Sequence, residues 1–224
     1  SDVCSSDLPF FAYEWALLPA LVEHRRWWDW AVLGAFAFAV VALLWRDRAR
    51  RLEAGLTLWT FVPAVRLLAL PTALLAAVPV AVAARVGTDV SAGRFVASLA
   101  YPLYAAAQLL VFQSFLVPRL RRLGAGRATV IATAACLFAL LHWPNGLVMV
   151  ACAAGAAMWT WAFLRRPSLP AVALSMGLAA IAFSNALPRG MGPWGTHNLR
   201  TGPIYVHRLL ERQDAPPAPA RTIR

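Results

Sequence analysis

The chain has 224 residues, of which 60% are hydrophobic and only 14% are charged, and its net charge is +11. Soluble domains carry about 45–50% apolar and about 25% charged residues, so this composition excludes an ordinary soluble fold. Acidic residues are missing between Asp89 and Glu211, and a stretch of that kind could not form a water-exposed surface. The sequence therefore predicts an all-α, polytopic membrane bundle of about six transmembrane helices.

The positive charge comes from 21 basic residues, and all of them are arginine. In a soluble protein such a charge would indicate nucleic-acid binding. Here the arginines lie between apolar runs, where they are better explained as topology signals that face anionic lipid headgroups. We therefore expect the lipid bilayer as a partner and no nucleic acid. The arginine-rich segments 46–51, 119–127 and 165–166 are predicted to lie on the cytoplasmic side.

The first 22 residues consist of a short polar stretch and a short apolar run. Residues 1–8, SDVCSSDL, resemble a translated sequencing adapter, and we exclude them as a non-native stretch. The apolar run at 9–22 is too short to span a bilayer, which needs about 20 residues. We interpret it as the remnant of a truncated helix or as an interfacial helix.

Six apolar runs long enough to be spans follow in chain order. They are residues 27–45, 67–84, 95–118, 128–142, 146–164 and 168–187. Tryptophans bracket the first run, as expected at the two membrane interfaces. The second contains Pro71 and Pro79, which membrane helices tolerate as kinks.

Small residues four apart occur in the last two runs, as Ala151 with Gly155 and Ala173 with Gly177. Such pairs predict that these helices approach their neighbours closely. We assign residues 9–188 to one membrane-embedded domain. The remainder, 189–224, is a polar basic tail that we expect to be partly disordered.

Polar side chains form a stripe on the third run. Ser98, Tyr101, Tyr104 and Gln108 are spaced by three, three and four residues, which places them on one helical face. They either form interhelical hydrogen bonds, worth about 0.6–2 kcal/mol each, or line a substrate cavity. Gln113 would lie about 140° around an α-helix from Gln108.

His142 is the single histidine within the apolar core of the sequence. It ends its predicted helix beside the turn formed by Pro144 and Asn145. A lone histidine at a helix end is either a structural group with satisfied hydrogen bonds or a ligand and catalytic group.

Three segments occur in an order that resembles a known family. They are QLLVFQSFLVPRL (108–120), FALLH (138–142) followed by Pro-Asn, and LPAVALSMGLA (169–179). This order resembles the CPBP intramembrane protease family, which includes CAAX prenyl endopeptidases and bacteriocin-processing or self-immunity proteins. The resemblance covers roughly residues 52–188. It implies a bacterial inner-membrane protein that acts on a peptide or a prenylated protein.

The family's motifs are retained only in part. The family carries Glu-Glu-x-x-x-Arg, then Phe-x-x-x-His, then a His-x-x-x-Asn-like motif. Phe138 and His142 match the second motif. At the other reactive positions the chain has Gln108 and Leu109 for the glutamate pair, Gln113 for the arginine and Met176 for the second histidine.

These losses bear directly on mechanism. The resemblance implies a glutamate that activates water, with histidines that orient it or bind a divalent metal. Glutamine cannot take a proton near neutral pH, so Gln108 cannot act as the general base. A catalytic metal needs about three protein ligands, whereas the core offers one histidine and no carboxylate. We therefore predict degraded motifs in a divergent member, and we assign no cofactor.

The candidate site follows from these positions. His142 is the candidate catalytic residue. We expect the former catalytic cavity to be lined by Tyr104, Gln108, Gln113, Phe138, Asn145 and Met176. In the tail, HNLRTGPIY (197–205) is either a membrane-surface turn with Arg200 at phosphates and Tyr205 at the interface, or a lid. As a lid, it would bring His197 or Arg200 beside His142.

Two functional classes remain at this point. The first is a weakly active or non-catalytic relative that binds peptide, lipid or partner proteins in the membrane, and the missing groups favour it. The second is an active intramembrane endopeptidase of the CAAX-processing type with a rearranged site. A small transporter is disfavoured, because the sequence lacks intramembrane charges and paired broken helices.

Overall fold

The computed structural model describes residues 52–87, 101–143 and 145–186. It also describes seven single residues, at 34, 35, 38, 42, 96, 98 and 99. Predictions for residues 1–22, for nearly all of 27–45 and for the tail 189–224 therefore lie outside the described residues.

Five helices of 14 or more residues lie within the described ranges. They are α1 (Phe61–Val86), α2 (Tyr101–Arg122), α3 (Arg127–Leu140), α4 (Gly146–Arg165) and α5 (Leu169–Ala186). All except α3 are long and apolar enough to cross a membrane. The described part of the chain contains no strand, so the all-α membrane bundle is confirmed.

The predicted count of six spans is not confirmed. The first predicted span lies almost wholly outside the described residues. The fourth corresponds to α3, whose 14 residues are fewer than a full crossing requires. At 1.5 Å per residue this helix is about 21 Å long, against a hydrocarbon core of about 30 Å.

Helix α5 is the centre of the described bundle. It packs against α1 and α2, while α3 packs mainly against α4. Ten of the residues of α5 are buried, among them Ala171, Val172 and Ala179. By contrast α1 leaves large apolar side chains such as Leu70 and Leu74 exposed, which is the pattern of a helix with one face toward lipid.

Close helix approach is confirmed at one of the two predicted small-residue pairs. A Cβ added at Gly177 would lie 2.6–2.9 Å from three atoms of Pro102, so α5 contacts α2 directly at this point. At Gly155 the nearest atoms belong to the indole of Trp159, 2.7 Å from such a Cβ. Gly155 therefore makes room for a side chain of its own helix rather than for a neighbouring backbone.

Gly177→Ala is expected to lower the free energy of unfolding by about 1–3 kcal/mol, the usual cost of overpacking. The added methyl group would meet the ring and the backbone of Pro102, and the backbone cannot move away cheaply. Unfolding by sodium dodecyl sulfate in mixed micelles, followed by circular dichroism, measures the change. Gly34→Ala is the control, because Gly34 is also helical and a Cβ there has no atom within 4 Å. Equal stability of the two variants would contradict the close contact.

The middle of α2 is a π-helix rather than an α-helix. It spans Leu110–Leu116, and the Val117 N–H donates to the carbonyl of Phe112, five residues back. Such wider turns are rare and occur frequently at functional sites. The 140° offset predicted between Gln108 and Gln113 assumed α-helical winding throughout, so it does not apply to the observed helix.

The segment before α1 is held by hydrogen bonds to two other parts of the chain, α2 and the connection from α4 into α5. The Ser114 hydroxyl donates to the carbonyl of Ala54 over 2.6 Å. The N–H of Leu169 donates to the carbonyl of Gly55 over 2.9 Å. The Thr60 hydroxyl donates to the carbonyl of Pro167. The first bond ties the segment to α2, and the other two tie it to the connection between α4 and α5. Together they satisfy backbone carbonyls and hold α1, α2 and α5 in fixed relative positions.

Candidate functional site

The retained second motif lies in an aromatic cluster centred on Phe138. Its buried ring meets Phe112 of α2 edge-on at a centroid distance of 5.1 Å and Trp159 of α4 at 6.2 Å. The ring of His142 lies 5.2 Å away, one helical turn further along. Edge-to-face pairs of this kind are favourable beyond simple burial. Phe138 therefore joins the end of α3, with its histidine, to two neighbouring helices.

His142 lies in the turn directly after α3, and its ring is held by its own helix. The Nδ1 atom is 2.8 Å from the carbonyl oxygen of Phe138. Because a carbonyl can only accept, Nδ1 carries the proton, and Nε2 of the neutral imidazole carries the lone pair. Nε2 has no hydrogen-bond partner among the described residues. The ring is thus oriented, with one nitrogen available to a ligand.

Gln113 is buried where α2 meets α4. Its Nε2 donates to the Thr160 hydroxyl over 2.9 Å, and the residue is 1% exposed. Its Oε1 has no hydrogen-bond partner. A buried amide oxygen without a donor lowers the free energy of unfolding by about 1–3 kcal/mol. A hydrogen bond from water or from a ligand would remove this loss.

The predicted polar stripe is not one helical face, because Ser98 lies before α2 and Leu99 between them forms a turn. The Gln108 amide nitrogen donates to the Tyr104 hydroxyl over 3.3 Å, a bond within one helix. Ser98, outside α2, accepts from Nδ2 of Asn185 on α5 over 3.0 Å. Gln108 is half-buried and Gln113 is fully buried, and they have different hydrogen-bond partners.

The position of the missing second histidine is part of the hydrophobic core. Met176 is buried within the main apolar cluster. The adjacent Ser175 accepts from Nε1 of Trp159 over 2.9 Å and hydrogen-bonds the Thr72 hydroxyl over 2.5 Å. This network joins α1, α4 and α5, and sequence reasoning missed it. Its only signal in the sequence was a pair of small hydroxyl residues within apolar spans.

Asn145 begins α4 as its N-cap. Its Oδ1 accepts from the N–H of Val148 over 3.1 Å, and its own N–H donates to the carbonyl of His142 over 3.0 Å. Asparagine is among the residues that cap helices best, so this contact stabilises the turn that carries His142. Asn145 thus lies beside His142 through the backbone of that turn.

The described residues do not fit a catalytic metal centre. Their only metal-ligating side chains of the histidine, cysteine and acidic types are Glu53, Cys136, His142 and Cys152. No three of these gather in the described ranges, whereas a catalytic zinc takes three protein ligands. His197, which the lid arrangement would bring beside His142, lies outside the described residues. The same is true of Arg200 and Tyr205.

One comparison with known proteins identifies the segment that contains these positions. Residues 93–181 match the family described as type II CAAX prenyl endopeptidase Rce1-like. Residues 93–181 are an Rce1-like domain of the CAAX protease family. Searches of curated proteins and of solved structures find no match.

The Rce1-like domain confirms the resemblance drawn from the three motif segments. It includes α2, α3, α4 and most of α5, and it is shorter than the 52–188 region expected from the sequence. With four apolar helices of spanning length, the protein is an integral membrane protein. Its placement in the bacterial inner membrane stays a prediction.

Proposed function

We propose that this Rce1-like protein is a weakly active or non-catalytic relative of the CAAX endopeptidases. It binds a peptide, a lipid or a partner protein within the membrane instead of cleaving substrates efficiently. The observation that carries the proposal is the chemistry at the motif positions. An amide bonded to Tyr104 replaces the family's glutamate at Gln108, and a buried amide bonded to Thr160 replaces its arginine at Gln113.

The chemistry of hydrolysis supports this proposal. Peptide cleavage needs a group that takes a proton from water, and neither glutamine can do so. His142 is the one described side chain at the motif positions that can, through Nε2. General-base catalysis contributes about 10²–10⁴-fold in rate, and a complete site adds stabilisation of the developing oxyanion. A single histidine without a carboxylate partner would therefore support weak turnover at most.

The binding half of the proposal is supported by what is retained. The Phe138 and His142 pair is kept, and the ring of His142 is oriented with Nε2 open to a donor. On α2, Gln113 presents an oxygen without a partner at a buried position. Neutral hydrogen-bonding groups set among aromatic rings suit an apolar ligand with a few amide groups, such as a prenylated peptide.

The alternative is an active endopeptidase in which His142 acts as the base. The retained Phe-x-x-x-His motif favours it, since loss of function would not by itself require this pair to stay. In that case a group from outside the described residues, such as His197, would complete the site. Both candidates can bind a peptide, and they differ in whether they cleave it efficiently.

A cleavage assay distinguishes them. Purified protein in lipid vesicles is incubated with a fluorescent farnesylated CAAX peptide, alongside an active CAAX endopeptidase as positive control. We expect the wild type to bind the peptide, seen as raised fluorescence anisotropy, without cleavage above the rate of His142→Ala. Leu141→Ala is the matched control, because it shortens the neighbouring side chain of the same turn. Robust cleavage that His142→Ala abolishes would refute the proposal, and absence of peptide binding would rule out a prenylated peptide as the ligand.

A further inference from the structure

A groove of about 780 Å³ opens at the end of the bundle where α1 and α3 begin and α4 ends. Four arginines from these three elements line it, namely Arg66, Arg127, Arg165 and Arg166. All four side chains are exposed. The remaining walls are apolar, formed by Pro63, Leu67 and Leu164.

The charge of this arginine groove is uncompensated within the described part of the chain. The single acidic residue there is Glu53, and its carboxylate pairs with Arg122. No described carboxylate therefore reaches any of the four groove arginines. Like charges held this close repel one another, and an anion between them relieves the repulsion. Guanidinium groups bind phosphate oxygens in a bidentate manner, which makes phosphate the anion that this set suits best.

We propose that the arginine groove binds the phosphate headgroup of an anionic phospholipid. One of the four guanidinium groups, that of Arg165, is already held in position by an aromatic ring. The guanidinium carbon of Arg165 lies 4.4 Å from the ring centroid of Trp161 on the same helix. This contact holds the charge in place and leaves the guanidinium edge free to donate hydrogen bonds.

The exposed apolar side chains of α1 favour a lipid over a soluble phosphate as the ligand of the groove. Pro63, Leu67, Leu70 and Leu74 are spaced by four, three and four residues, so one apolar stripe runs from the groove along the helix. Leu70 and Leu74 are 68% and 61% exposed. Val78, four residues past Leu74 and 61% exposed, continues the stripe. From Leu67 to Val78 the stripe is about 16 Å long, which is about half of the hydrocarbon core. One acyl chain of a lipid in this leaflet can therefore lie along it below its headgroup.

This lipid site is separate from the candidate site at His142. Arg127 is the first residue of α3, and His142 lies two residues past its end. The two are therefore about 22 Å apart along the helix axis. The lipid proposal does not rest on the proposed function, and either can fail without the other.

The test measures lipid binding to purified protein in a neutral detergent, by native mass spectrometry and by the rise in thermal unfolding temperature. Phosphatidylglycerol is titrated, with phosphatidylcholine and glycerol phosphate as reference ligands. The groove variant is Arg66→Gln with Arg127→Gln. The control is Arg121→Gln with Arg122→Gln, which removes the same charge at the same end of the bundle. Arg165→Gln with Arg166→Gln repeats the test on a separate element.

We expect phosphatidylglycerol to bind more tightly than phosphatidylcholine, and glycerol phosphate to have little effect. Each groove double variant should lose about 30-fold in affinity for phosphatidylglycerol, since one arginine near a membrane surface contributes roughly a factor of five. The control pair should change affinity much less. Equal losses in the groove and control variants would overturn the proposal, because they would indicate a diffuse surface charge. Equal binding of both lipids, or equal stabilisation by glycerol phosphate, would overturn it as well.

Discussion

Gly55→Ala is expected to lower the free energy of unfolding by about 2–5 kcal/mol, the sum of backbone strain and overpacking. Gly55 is buried and has a φ of +68°, a conformation that side chains with a Cβ adopt at a cost of about 1–2 kcal/mol. An added Cβ would lie 2.7 Å from the ring of Phe163 and 2.9 Å from the backbone nitrogens of Ser168 and Leu169. Moving these atoms apart would also weaken the hydrogen bond from Leu169 to the Gly55 carbonyl.

Gly87→Ala separates the two causes. Gly87 has nearly the same φ, +66°, at the C-terminal end of α1, but nothing lies within 4 Å of a Cβ built there. It should therefore show the backbone strain alone, about 1–2 kcal/mol. Chemical unfolding of both variants in mixed micelles, followed by circular dichroism, gives the comparison. If both lose the same amount, the close packing between the segment before α1 and the start of α5 is wrong.

Phe138→Ala is the second large expected effect, a loss of about 2–3 kcal/mol in the free energy of unfolding. The same truncation costs about 3–5 kcal/mol in water-soluble cores. In a membrane the separated helices meet lipid, which is as apolar as the core, so the transfer part of that cost largely disappears. The packing part remains, because the ring contacts Phe112 and Trp159, and the surrounding helices cannot collapse fully into the space.

Two controls define the Phe138 result. Phe138→Leu keeps most of the volume and should cost less than about 1.5 kcal/mol. Leu103→Ala truncates a side chain that is 78% exposed on α2, and it should leave stability nearly unchanged. In the peptide-binding assay, Phe138→Ala should also weaken binding, since the ring of His142 loses its aromatic neighbour. A stability loss in Leu103→Ala as large as that in Phe138→Ala would show that the cluster is no special packing centre.

Local sequence predicted some helix boundaries closely and others poorly, since α1 begins at Phe61 whereas the predicted run began at residue 67. The predicted spans 146–164 and 168–187 correspond to α4 and α5 within about one residue. The apolar run of α4 and the arginine pair that follows it are neighbours in sequence, so composition was sufficient to predict where this helix ends. The predicted run 128–142 was less accurate at its C-terminal end, because α3 ends at Leu140 and its last predicted residues form a turn. In that turn His142 bonds back to Phe138, a contact that hydropathy does not encode.

The candidate site depended more strongly on packing. Residue identities alone indicated that the carboxylates of the family are missing. They did not indicate that Gln113 would reach Thr160, since the π-helical turn of α2 changes which side chains face α4. The bond of Trp159 with Ser175 was equally invisible, because it depends on how α4 and α5 are rotated against each other.

Residue types and their order were enough to predict a helical membrane protein related to the CAAX proteases, in which the groups expected to activate water are replaced. Both conclusions rest on residue type and order along the chain, which do not depend on how the helices are arranged. Tertiary structure decided which polar groups remain open for a ligand, and that arginines distant in sequence share one groove. Those outcomes depend on the rotation and contacts of several helices, which no local pattern specifies.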